Sequence, residues 1–533
     1  MVNMHFLKKH EDHVEKPGHA HNAAATGQRI TFLACFLGLV ASIGGFMFGY
    51  VSGQISGFFA MEDFQRRFGE GNDASGYTFS AARQGTIVGL LPVGCLFGSF
   101  IAGEIADYLG RRLAISVSAL FSIVGTIIEV SSNTVWVQFA MGRFVTGIAI
   151  GSLSVLVPMY QSESSPAIIR GVLVSTYQLF ITLGIWTSEM VNWGTEDKYA
   201  DSASWRIPNG LSFLWPLILG VGILFLPESP RHAYRKGRVD EARRTIARLA
   251  GVDENDRTVS DQIAQIRAKV EEEKAGEKTS WSEIFTGPRM LYRTLLGITL
   301  QAGQQLTGAN FFFYYGTTVF SATGLSNSFV TQIILGSVNV FCTFGGLWVA
   351  QKCGRRKALM AGAAWMMGCF FVYAFVGHYA LDQENPMNTP KAGSALIVFS
   401  CLFIAAFAST WGPLVWAAVA ELYPAQYRAP CMALATASNW FWNFMISFFT
   451  RFITDAIDYF YGFVFAGCCA ALFFIVYFFL IESKDRSLEE IDTMYILHVN
   501  PITSSKWDGS QVPKSMGEGA VVDSSEGEGH EDV

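Results

Sequence analysis

Charge is what this chain has least of: Asp, Glu, Lys and Arg make up 15% of its 533 residues, where soluble proteins carry about 25%. Cysteine is sparse too, with nine residues in or beside apolar runs and no even spacing. That pattern excludes a disulfide framework, and the cysteines read as small buried hydrophobes. No nucleophile–base pair, metal-ligand cluster or phosphate-cradling loop stands out, so no enzyme, metal or cofactor is expected. The formal net charge of -6 gives nucleic acid no electrostatic footprint. A cleavable signal peptide is also missing, because the first 29 residues are polar and the first apolar run has no small-residue cleavage site. That run reads as a signal anchor.

What the chain has in quantity is apolar sequence: 51% hydrophobic and 14% aromatic residues, with a positive mean hydropathy. Crossing roughly 30 Å of hydrocarbon takes about 20 apolar residues in a helix. Twelve stretches qualify, near residues 30–53, 82–103, 113–131, 134–158, 171–193, 207–226, 292–316, 328–350, 357–378, 393–420, 431–452 and 459–481. Lipid cannot satisfy exposed backbone groups, and none of these stretches alternates as a barrel strand does. The expected fold class is an all-α membrane protein with twelve transmembrane helices.

Those helices come in two sets of six. Glu163-x-x-Pro166-x-x-x-Arg170 recurs as Glu421-x-x-Pro424-x-x-x-Arg428, each time ending a long apolar segment. Gly110-Arg111-Arg112 recurs as Gly354-Arg355-Arg356, and Pro227-Glu228-Ser229 as Ile481-Glu482-Ser483. Three pairs in one order indicate duplication. The expected organisation is a tail over 1–29, a first half over 30–227, a linker over 228–290, a second half over 291–481 and a tail over 482–533.

Basic residues follow the even-numbered spans, at Arg111, Arg112, Arg170, Arg231 to Arg289, Arg355 to Lys357 and Arg428. The opposite connections hold only Lys198 in 194–204 and Lys391 in 378–392. The positive-inside rule then places the linker and both termini in the cytoplasm. The linker holds 13 basic against 12 acidic residues between Glu228 and Arg289 and reads as a small solvated helical domain. His5, His10, His13, His19 and His21 lack partners at ligand spacing and belong to a disordered tail. The last 40 or so residues show no periodic apolar face and are expected to be disordered, with Lys506 and Lys514 as candidate modification sites.

Gly103-x-x-x-Asp107-x-x-Gly110-Arg111-Arg112, Gly142-Arg143, the run Pro158 to Gly171, Pro227-Glu-Ser-Pro-Arg231 and Gln304-Gln305-Leu-Thr-Gly308-Ala-Asn310-Phe-Phe-Phe-Tyr314-Tyr315 together resemble the sugar porter family of the major facilitator superfamily. The chain is most similar to its fungal hexose transporters, from about Phe48 to Ile491. The resemblance implies a monosaccharide as substrate, the bilayer as surroundings and no obligate protein partner. It implies sugar contacts at Gln178, Gln304, Gln305, Asn310, Asn339, Trp416 and Asn443. Such residues suit a hexose on chemical grounds, since amides both donate and accept and an indole can cover a sugar's apolar face. Polar groups inside a span also face the bundle interior or a wet cavity. Gly412-Pro413 is expected to form a hinge.

Asp107, Arg111, Arg112, Glu163, Arg170, Arg355, Arg356, Glu421 and Arg428 fall on one side, where ion pairs between the halves would gate alternating access. Two positions depart from the family pattern. Gln351 stands where the second repeat would have Asp, which weakens that contact. Val51 stands in Phe48-Gly-Tyr-Val51-x-Gly where proton-coupled relatives carry an Asp, and valine cannot titrate. Glu129 and Glu189 are read as lying near span ends, close to water. Facilitated diffusion of a hexose, glucose first, is therefore expected. Proton symport, xylose as substrate and a non-transporting glucose sensor of the same fold are the alternatives. Gly44-Gly45-Phe-Met-Phe-Gly49 resembles a pattern of xylose-accepting fungal carriers, and close helix packing explains it equally.

Overall fold

A computed structural model describes residues 31–507 except 75, 167–168, 276–282, 322–326, 383–384, 386–387, 425–426, 485 and 487. The histidine-bearing tail and Lys514 lie outside the described residues, as do the side chains of Arg170 and Gln351.

The first half opens with α1 (Phe32–Phe58), capped where the Thr31 hydroxyl accepts from the Ala34 N–H. A short α2 (Glu62–Phe68) and an antiparallel hairpin, β1 (Glu70–Asn72) with β2 (Gly76–Thr78), follow on one side. Then come α3 (Ala81–Leu109), α4 (Arg111–Ser131), α5 (Trp136–Ser164), α6 (Arg170–Glu196) and the pair α7 (Ala203–Leu211) and α8 (Leu214–Leu224). Four helices follow: α9 (Pro230–Arg235), α10 (Val239–Ala250), α11 (Arg257–Ala275) and α12 (Glu283–Thr286). They have a small core of their own around Ala233, Ile246 and Val259.

The second half begins with α13 (Met290–Leu306) and α14 (Ala309–Ser321). It continues through α15 (Ser328–Lys352), α16 (Arg355–Phe375), α17 (Pro390–Ser409), α18 (Trp411–Leu422), α19 (Arg428–Ile457) and α20 (Tyr461–Phe479). Nine stretches among the described residues are long and apolar enough to cross a membrane. One of them, Arg428–Phe479, contains both α19 and α20, and neither α6 nor the α13–α14 pair is among the nine. Those two carry the polar side chains of the interior and complete twelve crossings. Large apolar side chains such as Phe97, Leu120, Leu217, Phe341 and Phe474 point outward, which suits a surface facing lipid.

The seventh and tenth spans are discontinuous. Gly308 has φ +91° between α13 and α14, and a Cβ there would lie 2.7 Å from the Phe465 ring. Only glycine fits that backbone comfortably. Thr410 at φ -132°, ψ -80° separates α17 from α18, with Pro413 in the first turn of α18, where its missing N–H breaks no helical bond.

The tail differs from expectation. Among its described residues, α21 (Leu488–Ile496) buries Ile491, Met494 and Tyr495, and Asp492 pairs with the buried Arg293 of α13 at 2.5 Å. Short apolar sequence with a single turn of amphipathic character hides this docking. Lys506 is exposed in the closing turn. All nine cysteines are free, but Cys353 is exposed, against the buried reading, because it sits in the turn between α15 and α16.

The halves meet through α3 with α19, α6 with α15, and α1 with α14. Among the described residues, the hydrogen bonds crossing between them join Ser56 and Thr317: hydroxyl to hydroxyl at 3.0 Å, Thr317 N–H to Ser56 Oγ at 3.1 Å, and the Thr317 hydroxyl to the Ser56 carbonyl at 2.5 Å. These lie toward the hairpin side. Within the first half, Gly45, Gly49, Gly53 and Gly57 let α1 press on α6 at Tyr177, Ile181, Ser188 and Asn192, so the glycine pattern is used for close packing.

Candidate functional site

The centre of the second half is an amide network. Gln304 of α13 donates from Nε2 to the carbonyls of Trp411 (2.9 Å) and Gly412 (2.8 Å), and its Oε1 accepts from Asn439 Nδ2 at 2.8 Å. Gln304 thus holds α18 just after the break, and both ends of its amide are committed to protein. Asn439 of α19 is the hub: it also donates to Gln301 Oε1 at 2.8 Å and accepts from Gln305 Nε2 at 2.9 Å. Gln305 Oε1 accepts from Asn310 Nδ2 at 2.5 Å, across the Gly308 break. Asn443 Oδ1 accepts from Tyr314 and Ser447 hydroxyls at 3.2 Å each.

Of the seven expected sugar contacts, four therefore belong to or adjoin one network on α13, α14 and α19. Gln178 on α6, Asn339 on α15 and Trp416 on α18 stand apart from it, with no side-chain hydrogen bond to any described residue. Asn339 is buried as a residue, yet its amide is not among the sealed, partnerless polar atoms, so it faces accessible space. Gln178 and Trp416 are half-buried. Unused amide and indole groups on the discontinuous helices and their neighbours are what a polyhydroxyl ligand can bind. Asn439 and Gln301 were not singled out from sequence. Their signal was periodicity, since Gln301 precedes Gln305, and Asn439 precedes Asn443, by one helical turn.

The three repeated motifs converge into one cluster in each half, on the linker side. In the first, Glu228 accepts from the N–H of Arg111 at 3.0 Å and so caps α4, with Gly110 at φ +92° leaving room for the carboxylate. Ser229 donates to Glu163 at 2.5 Å, and Arg111 pairs with Glu163 (2.9 Å) and Asp107 (3.1 Å). In the second, Glu482 accepts from the N–H of Arg355 at 2.9 Å, Ser483 donates to Glu421 at 2.5 Å, and Arg355 pairs with Glu421 at 2.8 Å. Among the described residues no ion pair joins the two halves: Arg111 pairs with Glu163 and Arg355 with Glu421, because the turn before α4 or α16 lies beside the end of α5 or α18. Arg111–Glu163 is 4% and 9% exposed and Arg355–Glu421 is 23% and 22% exposed, so solvent screens the second pair more. Arg112 and Arg356 bond instead to the carbonyls of Leu226 and Tyr477, and Arg428 to that of Tyr423. Arg111 also donates to His232 Nδ1 at 2.9 Å, and desolvation holds the His232 pKa below its ordinary value.

Neither interior acid lies near water. Glu129 is 1% exposed and accepts from the Thr146 hydroxyl at 2.9 Å, and Glu189 is 5% exposed. Helix ends that look terminal in sequence are covered by the neighbouring helices. Val51 is buried on α1, and the fully buried Arg143 of α5 reaches only its carbonyl, at 3.5 Å, leaving Nε and Nη2 without partners.

Two six-helix halves, discontinuous helices at the centre and a duplicated charged cluster on one face define a multi-pass carrier of the major facilitator fold. The fold is that of the inward-open xylose transporter XylE from E. coli, with a TM-score of 0.71 at 22% identity over 86% of this chain and 99% of that one. Residues 37–495 match the family Sugar (and other) transporter, and the chain belongs to that family. It is similar to the low-affinity glucose transporter HXT1 of Saccharomyces cerevisiae, 42% identical over 90% of this chain and 85% of that protein. It is also similar to the high-affinity fructose transporter ght6 of Schizosaccharomyces pombe, 46% identical over 86% of each.

Proposed function

We propose that this protein carries a hexose, glucose first, across the cell membrane by facilitated diffusion through alternating access, with both termini and the linker in the cytoplasm. The observation that carries this reading is the set of unpartnered amide and indole groups of Gln178 on α6, Asn339 on α15 and Trp416 on α18, beside the amide network of α13, α14 and α19, in a chain similar to glucose and fructose transporters. Gln178, Gln305, Asn310, Asn339, Trp416 and Asn443 bind the sugar. Gln304 fixes the α17–α18 break and reaches the sugar only if that contact is exchanged. Asp107, Arg111, Glu163, Arg355 and Glu421, with Arg112, Arg170, Arg356 and Arg428 around them, form a latch on the cytoplasmic face of each half. The Ser56–Thr317 bonds close the opposite gate, which supports an inward-facing state.

Downhill transport follows from position 51. A carrier that moves a proton with its sugar needs an acid that meets both sides in turn, and the buried side chain here is valine beside an arginine without an ion-pair partner among the described residues. The test is uptake of radiolabelled glucose by cells stripped of their own hexose carriers and expressing this chain, with and without a protonophore. Saturable uptake indifferent to the protonophore is expected. Loss of uptake with the protonophore would sink the facilitator reading, and no hexose uptake despite surface expression would favour a sensor.

A further inference from the structure

Glu189 projects from α6 against Gly336 of α15, at a contact between the two halves. With Gly53, Ser56, Asn192, Thr317 and Gln332 it lines a narrow cleft that has no room for a water molecule. Asn192 donates its Nδ2 to the Gln54 carbonyl at 2.9 Å, and Gln332 its Nε2 to the Phe312 carbonyl at 3.0 Å. Each amide nitrogen makes one such bond, and Asn192 Oδ1, Gln332 Oε1 and Glu189 Oε2 are left buried without partners. Turning either amide round would set its oxygen against a helix carbonyl. The Ser56 and Thr317 hydroxyls are bonded to each other, and the neighbouring Trp186 N–H bonds to none of these oxygens.

Three oxygens of residues lining this cleft make no hydrogen bond to the described residues. No cation supplies the charge: α1 and α14 carry no Asp, Glu, Lys, Arg or His, α15 carries only Lys352 at its linker-side end, and the other acid on α6 near this gate is Glu196. An ionised carboxylate oxygen buried with neither a hydrogen bond nor a cation is strongly disfavoured, whereas a carboxylic acid donates one hydrogen bond to an amide oxygen. Thr317 and Phe329 form the wall between this cleft and a larger cavity of about 450 Å³, which Phe59, Gln65 and Glu196 line on the hairpin side.

We propose that Glu189 is a proton-binding site of the hairpin-side gate, taking up a proton as the gate closes and returning it to the same side as the gate opens. The carboxylate takes its proton from a hydronium ion in the outer cavity, leaving water, and the closing of α1 and α15 over α14 and α6 seals the acid. Because the proton leaves by the side it entered, it tunes the carrier without coupling sugar movement to a proton gradient. The inference rests on the transport reading above and adds an outside-pH control to it.

The sign is fixed by the closed state. Alkaline surroundings leave Glu189 ionised and hold the gate open, so initial glucose uptake by wild type should fall several-fold from acidic to mildly alkaline outside pH at a buffered interior. Glu189→Gln keeps a donor in the cleft and should transport with a flat profile, and the protonophore should affect neither. A second readout needs no transport: the infrared band of a protonated buried carboxyl in the purified full chain at neutral pH should be lost in Glu189→Gln. An unchanged pH profile in that variant, or no lost band, overturns the proposal. Protonophore-sensitive uptake in wild type alone overturns the same-side return. If wild type takes up no hexose, the transport reading falls and the infrared band alone decides the proton site.

Discussion

At the residue scale, chemically alike amides do opposite jobs, and the difference is whether their hydrogen bonds are already made. Gln304 satisfies the Trp411 and Gly412 carbonyls and takes a bond from Asn439. The Asn339 side-chain amide makes no hydrogen bond to the described residues and faces accessible space. Gln304→Ala should therefore destabilise the protein by about 1–3 kcal/mol, through orphaned buried partners, and lower its melting temperature in detergent. Asn339→Ala should leave the melting temperature in place and raise the KM for glucose about five- to tenfold, worth about 1 kcal/mol of binding. Equal melting shifts in both variants would contradict this division. Sequence showed both residues as polar groups in apolar spans and could not separate them, because a residue's type says nothing of where its bonds go.

At the scale of elements, the breaks in the seventh and tenth spans set the site. Hydropathy read each as one continuous helix, and Gly308 and Gly412-Pro413 were visible, but the kink needs the surroundings to choose it. Phe465 packs where a Cβ on residue 308 would stand. Gly308→Ala combines left-handed backbone strain with that overlap, and a loss of about 2–5 kcal/mol is expected, read as reduced surface expression and early thermal unfolding. Wild-type stability in that variant would mean the α13–α14 junction can straighten. The repeated motifs were more legible. Their matching order pointed to duplication, and the structure adds that all three belong to one cluster per half.

At the scale of the whole molecule, the hydrogen bonds that join the halves among the described residues sit on the hairpin side, so transport requires the Ser56–Thr317 bonds to break and re-form. Ser56→Cys with Thr317→Cys should form a disulfide under oxidation, since the hydroxyls already stand 3.0 Å apart. Uptake should be blocked by oxidation and recovered by reduction, with each single variant unaffected. Undiminished uptake in fully cross-linked protein would exclude alternating access at this gate.

Sequence alone determined the all-helical class, the twelve crossings, the duplication and the family, because these follow from apolar length, local periodicity and motif order along the chain. Only tertiary structure decided which amides are free for a ligand, that Arg111–Glu163 and Arg355–Glu421 each pair within a half, that the tail docks through Asp492 and Tyr495, and that Glu189 Oε2 is buried without a hydrogen-bond partner. Each of those depends on which atoms of distant segments stand within hydrogen-bonding reach, and that distance is set by packing between helices far apart in the chain.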